Sequence, residues 1–321
     1  MTEHELRRQV SFGEPLSRVL IPLALGVTRR ALLRSGAVSR ERRLAGVLTH
    51  WYERPALPGA RPNVPVVLVH GIADSALTWA FTIGGFARIG PVYALDLPGF
   101  GLSGNPPGRR YATIADQVAV LAALVREVVG RPALLVGNSM GGWVAARLAL
   151  EAPELTCGIV LLDPGGALLQ GRSSWDPFVN TVAVPDLRTV RAIYRQMFGR
   201  VPAPLYLAQR GFQELFMRES VRQFVAAAVE AANAADPRAA GFFTPEELRQ
   251  IRVPAALVWG SRDTFLPAGS FEFFRDNLPG AELLVLPGCG HLPQRERPRA
   301  IVRFVHRFTL RICDQPPERD R

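Results

Sequence analysis

The chain has 321 residues, of which 48% are hydrophobic, and a net charge of +10 in which all 38 basic residues are arginine. This length allows one large α/β domain, no apolar run reaches the 18 residues of a membrane-spanning helix, and the arginines lack the interleaved aromatic residues of a nucleic-acid platform. The three cysteines show no metal-ligand spacing, and we expect reduced thiols and no disulfide framework.

The first 45 residues differ from the remainder in composition. An apolar stretch over 19–27 is flanked by Arg18 and by Arg29 and Arg30. It is too short to cross a bilayer, and no small-residue cleavage site of a signal peptide follows it. We predict an N-terminal extension over 1–45 with an amphipathic helix at 16–34, which lies either on a membrane surface or across the core. The expected location is the cytoplasm, with peripheral attachment to the inner membrane as the open alternative.

Two apolar runs rich in β-branched residues predict buried strands at 66–69 and 92–95. The first runs into His70 and Gly71, and we expect His70 to brace this loop through its ring nitrogens. The second runs into Asp96 and a Pro-Gly turn. The carboxylate of Asp96 is expected to accept hydrogen bonds that hold the turn in place.

A serine stands between two glycines after the next apolar run. The run 133–136 predicts a strand, 137–142 (GNSMGG) a tight turn, and 143–150 a helix. A serine at the apex of such a turn adopts a strained backbone conformation and needs small neighbours, which the two glycines supply. The helix also points its N-terminal amides towards negative charge that develops beside the serine. The sequence therefore predicts that Ser139 is a catalytic nucleophile.

Two later loops carry the residues that such a serine requires. A nucleophilic serine needs a base, and the base needs an acid to orient it. The predicted strand 255–259 ends shortly before Asp263, and the predicted strand 283–286 runs into a glycine-rich loop that contains His291. We predict His291 as the base and Asp263 as the acid. Asp163, which follows another predicted strand, is the alternative acid.

A long insertion separates residue 166 from the strand that begins after Val253-Pro254. Three segments in it have amphipathic helical character, at 187–198, 205–216 and 220–232. Its apolar side chains either pack the helices together or form an inner face that suits an acyl chain or a ring better than a sugar. These side chains are Phe178, Tyr194, Met197, Phe198, Tyr206, Phe212, Phe216 and Met217.

From about residue 50 to residue 310 the chain resembles the α/β-hydrolase superfamily. The resemblance rests on 70–72 (HGI), 96–101 (DLPGFG), the 137–142 turn, 259–263 (WGSRD) and the Gly290-His291 pair, in the chain order serine, acid, histidine. It implies a mostly parallel sheet with helices on both faces, built from residues 46–170 and 246–321, and a helical cap over 171–245. It also implies an oxyanion hole made by the backbone N–H groups of Ile72 and Met140.

The resemblance implies a serine hydrolase that cleaves a small-molecule carboxylic ester with an apolar part and needs no cofactor or metal. The turn around the serine is similar in monoacylglycerol-lipase-like esterases and in meta-cleavage-product hydrolases. A carbon–carbon bond hydrolase is therefore an alternative, although those relatives usually carry tryptophan where this chain has Leu292. A perhydrolase or haloperoxidase-like activity and a non-catalytic binding protein are further alternatives, and the oligomeric state is open. The residues expected to contact substrate are His70, Gly71, Asn138, Arg210 and Leu292.

Overall fold

A computed structural model of the chain describes residues 14–169, 186–207, 209–232 and 241–314. Eight strands form one sheet in the order β1-β2-β4-β3-β5-β6-β7-β8. β2 is antiparallel to both of its neighbours, and the strands from β4 to β8 are parallel. The strands are β1 (Val38–Leu44), β2 (Val47–Arg54), β3 (Val66–Val69), β4 (Val92–Leu95), β5 (Ala133–Asn138), β6 (Thr156–Leu162), β7 (Ala255–Gly260) and β8 (Glu282–Leu286).

The central strands are buried on both sides of the sheet. Successive side chains of a strand point to opposite faces, so Val67 and Val69 join one apolar cluster while Val66 and Leu68 join another. Helices therefore cover both faces, which explains why these strands are continuous apolar runs. The expected mostly parallel α/β architecture is confirmed.

Helices connect these strands in the chain order expected of an α/β sheet. They are α1 (Glu14–Arg34), α2 (Ile83–Phe86), α3 (Ile114–Leu124), α4 (Met140–Glu151), α5 (Leu187–Met197), α6 (Gln209–Phe216), α7 (Glu219–Ala232), α8 (Pro245–Arg249), α9 (Ser270–Asn277), α10 (Pro293–Glu296) and α11 (Pro298–Asp314).

The predicted N-terminal extension over 1–45 divides into two parts. α1 is a separate helix that lies against α6 and buries Leu32 in the core. β1, by contrast, pairs with β2 along its whole length and belongs to the sheet. The extension therefore ends before β1 and not at residue 45. The sequence pattern did not reveal β1, because the hydrogen bonds of an edge strand do not depend on apolar side chains. Among the residues that the structure describes, no helix is long and apolar enough to span a membrane.

Within the insertion, α5, α6 and α7 confirm the three amphipathic helices. Tyr194 packs on Phe212 with ring centroids 4.7 Å apart, and Phe212 packs on Phe216 at 4.8 Å. Tyr206 and Met217 are about 40% exposed and do not belong to a buried inner face. Phe178 lies outside the described residues.

The end of the insertion is attached to α4 by a buried arginine. The guanidinium of Arg147 donates to the Gly241 carbonyl (2.7 Å) and to Glu247 (2.8 Å). Trp143 Nε1 donates to the same Gly241 carbonyl (2.6 Å). The segment in which the chain returns from the insertion to the sheet is therefore bound to α4, the helix that follows Ser139.

Candidate active site

Ser139 occupies the turn between β5 and α4 in a strained backbone conformation. Its φ is 55° and its ψ is −121°, a region that residues with a side chain rarely adopt. A Cβ on Gly137 would collide with the carbonyl oxygen of Gly141, and a Cβ on Gly141 would collide with that of Val69. The turn therefore needs glycine on both sides of the serine, as predicted from the sequence.

The side chains of His291 and Asp263 form a buried hydrogen-bonded pair. His291 Nδ1 lies 2.7 Å from Asp263 Oδ2, and both side chains are almost fully buried. The other oxygen of Asp263 accepts the backbone N–H of Phe265 (2.8 Å). Because Nδ1 donates to a carboxylate, the proton of neutral His291 resides on Nδ1 and Nε2 has a free lone pair. Nε2 is buried, has no hydrogen-bond partner among the described residues, and belongs to a side chain that lines the same cavity as Ser139.

Asp163, the alternative acid, lies beside Asp263 rather than on the imidazole nitrogen. It follows β6, and its Oδ1 accepts the backbone N–H of Gly260 (2.9 Å). Burial, followed by the negative charge of Asp263, raises the pKa of Asp163 well above its usual range. Asp163, Asp263 and His291 offer ligand atoms within 4.8 Å of one another. Because Asp263 and His291 are hydrogen-bonded directly, this cluster suits proton sharing better than a cation.

The residues predicted to form an oxyanion hole are both near Ser139, since Met140 follows it in the chain and Ile72 lines the same cavity. Met140 begins α4 directly after Ser139. Ile72 follows Gly71, which lies so close to the serine that a Cβ on Gly71 would be 3.1 Å from the Cβ of Ser139. Neither the Ile72 nor the Met140 amide donates a hydrogen bond to any residue in the described part of the chain. The predicted oxyanion hole requires two amides that the described chain leaves without an acceptor, and these two meet that requirement.

His70 braces the loop that carries Gly71. Its Nε2 accepts the backbone N–H of Leu97 (3.0 Å), so Nδ1 carries the proton and donates to the Gly71 carbonyl (2.7 Å). The ring is fully buried and does not line the cavity. With both nitrogens engaged, its geometry favours the bracing role and corrects the expectation that it contacts substrate.

Asn138 borders the cavity, but its amide is fully engaged in joining the turn to the histidine loop. Its Nδ2 donates to the carbonyls of Leu162 and His291, each at 3.0 Å. Its Oδ1 accepts from Gln294 Nε2 at 3.0 Å. The amide therefore orients the backbone of the histidine rather than a substrate.

Thr78, Asp74 and Arg295 extend this network to the oxyanion loop, and sequence reasoning did not identify them. Thr78 Oγ1 accepts from Gln294 and from Arg295 Nε, the latter at 2.8 Å. Arg295 also pairs with Asp74 at 2.7 Å. The sequence signal for Arg295 is its place in the polar segment 294–298 (QRERP), directly after the histidine loop.

The Ser139 cavity has a volume of about 220 Å³ and is lined mainly by apolar side chains. Gly71 and Leu292 border it, as expected, whereas nothing is described of the Arg210 side chain. α1 forms one wall, which the sequence did not predict. The lining side chains that lie outside the sheet loops are Ile21, Ala24, Leu25 and Thr28 from α1, and Met197, Phe198, Leu205, Phe212, Leu215 and Phe216 from the insertion.

The loops and the insertion are tied together directly at the histidine. The backbone N–H of His291 donates to the carbonyl of Met197 at the end of α5 (2.7 Å).

Burial raises the pKa of the neighbouring Cys289 thiol, which is free. Cys289 is fully buried and fills space in the histidine loop.

Comparison with known proteins places these elements in a family. The model of the alpha/beta hydrolase family matches residues 66–304. A 2-hydroxy-6-oxononadienedioate/2-hydroxy-6-oxononatrienedioate hydrolase from Burkholderia vietnamiensis is 30% identical over 267 residues, or 78% of this chain and 88% of that protein. A pimeloyl-[acyl-carrier protein] methyl ester esterase from Nitrosomonas europaea is 26% identical, with 74% of this chain and 92% of the esterase covered.

A solved membrane phospholipase A is similar in fold. It has a TM-score of 0.72 and 23% sequence identity, with 97% of this chain and 96% of that chain covered. Together with the family match, which spans most of the sheet and its loops, these relatives identify the class of protein. The chain belongs to the alpha/beta hydrolase family and is a hydrolase.

Proposed function

We propose that the protein is a serine hydrolase that cleaves carboxylic esters with an apolar acyl or alcohol part. The observation that carries the proposal is the state of His291. Its Nδ1 is held by Asp263 at 2.7 Å, while its buried Nε2 is left without a partner in the described chain and belongs to the same cavity as Ser139. A buried nitrogen without a hydrogen-bond partner lowers the stability of the fold, and a catalytic role is one explanation for its presence.

In the proposed reaction His291 Nε2 removes the proton of Ser139 as the serine oxygen attacks the ester carbonyl. The amides of Ile72 and Met140 stabilise the oxyanion that forms. His291 then protonates the departing alcohol and activates a water molecule that releases the acid. Asp263 holds the imidazole in the required tautomer and stabilises its charged form.

The lining of the cavity supports an apolar substrate. Its walls include aliphatic and aromatic side chains from α1 and from the insertion. Such a cavity favours an acyl chain or a ring, because each buried CH₂ group contributes about 0.8 kcal/mol. The esterase relative acts, by its name, on a methyl ester of an acyl chain.

Carbon–carbon bond cleavage of the meta-cleavage type is the second candidate, and the relative from Burkholderia vietnamiensis is named as a hydrolase of a 2-hydroxy-6-oxo dienedioate. The substrate in that name is a dicarboxylate, and a buried dicarboxylate needs cationic partners. Among the described residues that line the cavity, Arg295 is the cation, and it is already paired with Asp74 at 2.7 Å. This pairing favours the uncharged ester as substrate.

The test compares Ser139→Ala with Ser35→Ala, which removes an exposed hydroxyl at the end of α1. Each protein is assayed with p-nitrophenyl esters from acetate to palmitate, a monoacylglycerol and a vinylogous diketone acid. We expect Ser139→Ala to lower ester turnover by several orders of magnitude and to abolish labelling by a fluorophosphonate, with Ser35→Ala unchanged. Near-normal rates in Ser139→Ala would refute the proposal, and turnover of the diketone acid alone would favour the second candidate.

We also propose that α1 attaches the protein to anionic lipid surfaces. While one side of this helix lines the cavity, Leu23 and Val27 on the other side are each 56% exposed. Phe81, which also borders the cavity, is 71% exposed. Arg29 and Arg30 lie close by in α1, so apolar and cationic side chains are adjacent, as in helices that lie in a lipid interface.

The test compares Val27→Glu with Val285→Glu, in which a valine of similar exposure is changed on β8. Binding is measured to vesicles of phosphatidylglycerol and of phosphatidylcholine. We expect Val27→Glu to lose binding to the anionic vesicles while turnover of soluble short esters is unchanged. Equal vesicle binding by both variants would contradict the proposal.

A further inference from the structure

Two buried carboxyl groups meet where β6 and β7 end. Asp163 follows β6 and Asp263 follows β7, and the two strands are parallel neighbours, so their ends lie side by side. A carboxyl oxygen of each lies within 4.8 Å of the other and of an imidazole nitrogen of His291. The mechanism proposed above uses Asp263 and leaves Asp163 without a role.

The donors around the two carboxyl groups are unequal. Asp263 accepts from His291 Nδ1 at 2.7 Å and from the amides of Phe265 and Leu266 at 2.8 Å and 3.4 Å. Asp163 accepts one amide, that of Gly260, and its Oδ2 has no donor within the described chain. Two adjacent buried carboxyl groups do not both ionise, and the charge stays on the one with more donors. The shared proton therefore belongs to Asp163.

We propose that Asp163 is a neutral positioning residue whose Oδ2–H donates to the Asp263 carboxylate and holds it in the orientation that binds His291. This inference rests on the proposed function, because it assigns Asp163 a part in orienting the base. The acid that orients His291 is then a pair of carboxyl groups, of which Asp263 is charged and Asp163 supplies a hydrogen bond.

The backbone and the surrounding charges agree with this assignment. The φ of Asp163 is 43°, in the left-handed region where aspartate and asparagine are tolerated better than most residues. The titratable groups around it are Asp263, His291, Glu296 and the Cys289 thiol. None of these is a cation that would stabilise a second negative charge unless His291 is protonated. Burial and the charge of Asp263 accordingly raise the pKa of Asp163.

Two substitutions test whether Asp163 acts as a hydrogen-bond donor or as a charged carboxyl group. In Asp163→Asn the amide nitrogen donates to Asp263 and the amide oxygen accepts from Gly260, so the network is retained. In Asp163→Gly the donor is lost, while glycine suits the left-handed backbone. We expect kcat of Asp163→Asn to stay within a few-fold of the parent and kcat of Asp163→Gly to fall about 10–100-fold with little change in KM, as for loss of a hydrogen bond to a charged group.

The pH profile and the infrared spectrum distinguish this role from a structural one. In the parent, kcat should decline at alkaline pH as Asp163 loses its proton, and Asp163→Asn should lack this decline. A difference spectrum between the parent and Asp163→Asn at neutral pH should show the carbonyl band of a protonated carboxyl group. This band reports on the proton even if Ser139 proves not to be the nucleophile, so the two proposals fail separately.

Three results would overturn the inference. Equal inactivity of Asp163→Asn and Asp163→Gly would mean that Asp163 acts as a charged acid. Full activity of both variants, with only a lower melting temperature, would mean that it serves the fold alone. Absence of the protonated carboxyl band would show that the proton lies elsewhere.

Discussion

Replacing Ser139 with glycine separates the backbone strain of the turn from its chemistry. The residue has φ 55° and ψ −121°, and such a conformation costs a residue with a side chain about 1–3 kcal/mol. Glycine adopts it freely but loses about 0.5–1 kcal/mol more conformational entropy on folding. The strain term is larger, so Ser139→Gly should be more stable than Ser139→Ala by about 1 kcal/mol.

Other contributions of the side chain are small. The hydroxyl makes no capping hydrogen bond to α4, although Ser139 is its N-cap residue. The Cβ borders the cavity, so its loss removes little packing. The hydrogen bonds of the turn, such as that from the Ser139 amide to the Leu162 carbonyl (3.0 Å), involve backbone atoms and remain in both variants.

The measurement is urea unfolding of the parent, Ser139→Ala and Ser139→Gly at one pH, with melting temperatures as a second readout. Both variants should be inactive, and Ser139→Gly should melt about 2 °C above Ser139→Ala. The alanine variant is the matched control, because it loses the same hydroxyl and keeps the strain. If the glycine variant is no more stable than the alanine variant, the reasoning from strain is refuted.

Three further outcomes follow from the geometry. Gly141→Ala should abolish esterase activity and lower stability, since its Cβ meets the backbone carbonyls of Val69 and His70; a fully active variant would contradict the tight approach. Asp96→Asn should lower the free energy of unfolding by about 3 kcal/mol at pH 7. Burial opposes the charge of Asp96, but hydrogen bonds from His50 and from two backbone amides outweigh burial and lower its pKa. Urea titrations should therefore show the difference between parent and variant closing below about pH 4, as the parent carboxylate is protonated. For Asp163 the change of stability with pH has the opposite sign. Between its ordinary pKa near 4 and its raised folded pKa, the folded state holds a proton that the unfolded state releases. In that window the parent should lose about 1.4 kcal/mol of stability per pH unit relative to Asp163→Asn, and parallel stability curves would exclude a raised pKa.

The parts of the fold predicted from sequence are those that local pattern determines. The predicted strands at 66–69, 92–95 and 133–136 are short apolar runs between turn residues, and the third extends to Asn138 in the structure. They are apolar throughout because helices cover both faces of the sheet. The turn at Ser139 was recognisable because its glycines are required by backbone contacts only a few residues away. His291 and Asp263 each follow a predicted strand, and the parallel strands bring them to the same edge of the sheet.

The parts that were missed depend on contacts between distant segments. β1 contains three arginines and a glutamate, and only its backbone pairing with β2 makes it a strand. The bond between His50 Nδ1 and Asp96 (2.7 Å) joins β2 to the loop after β4. The partnership of Asp163 with Asp263 depends on β6 lying next to β7, and strand order is not contained in either local motif. The position of α1 over the cavity likewise depends on where a helix packs rather than on its pattern.

The wall that α1 contributes lies outside the region 66–304 that the family model matches. The residues of the proposed mechanism, Ser139, Asp263 and His291, lie on loops at the ends of strands, whereas Ala24, Leu25 and Thr28 of α1 line the cavity from outside the sheet. Selection can therefore alter which molecules enter without disturbing the bond-breaking groups. The substrate preference of this protein therefore depends in part on a helix that precedes the family's matched region.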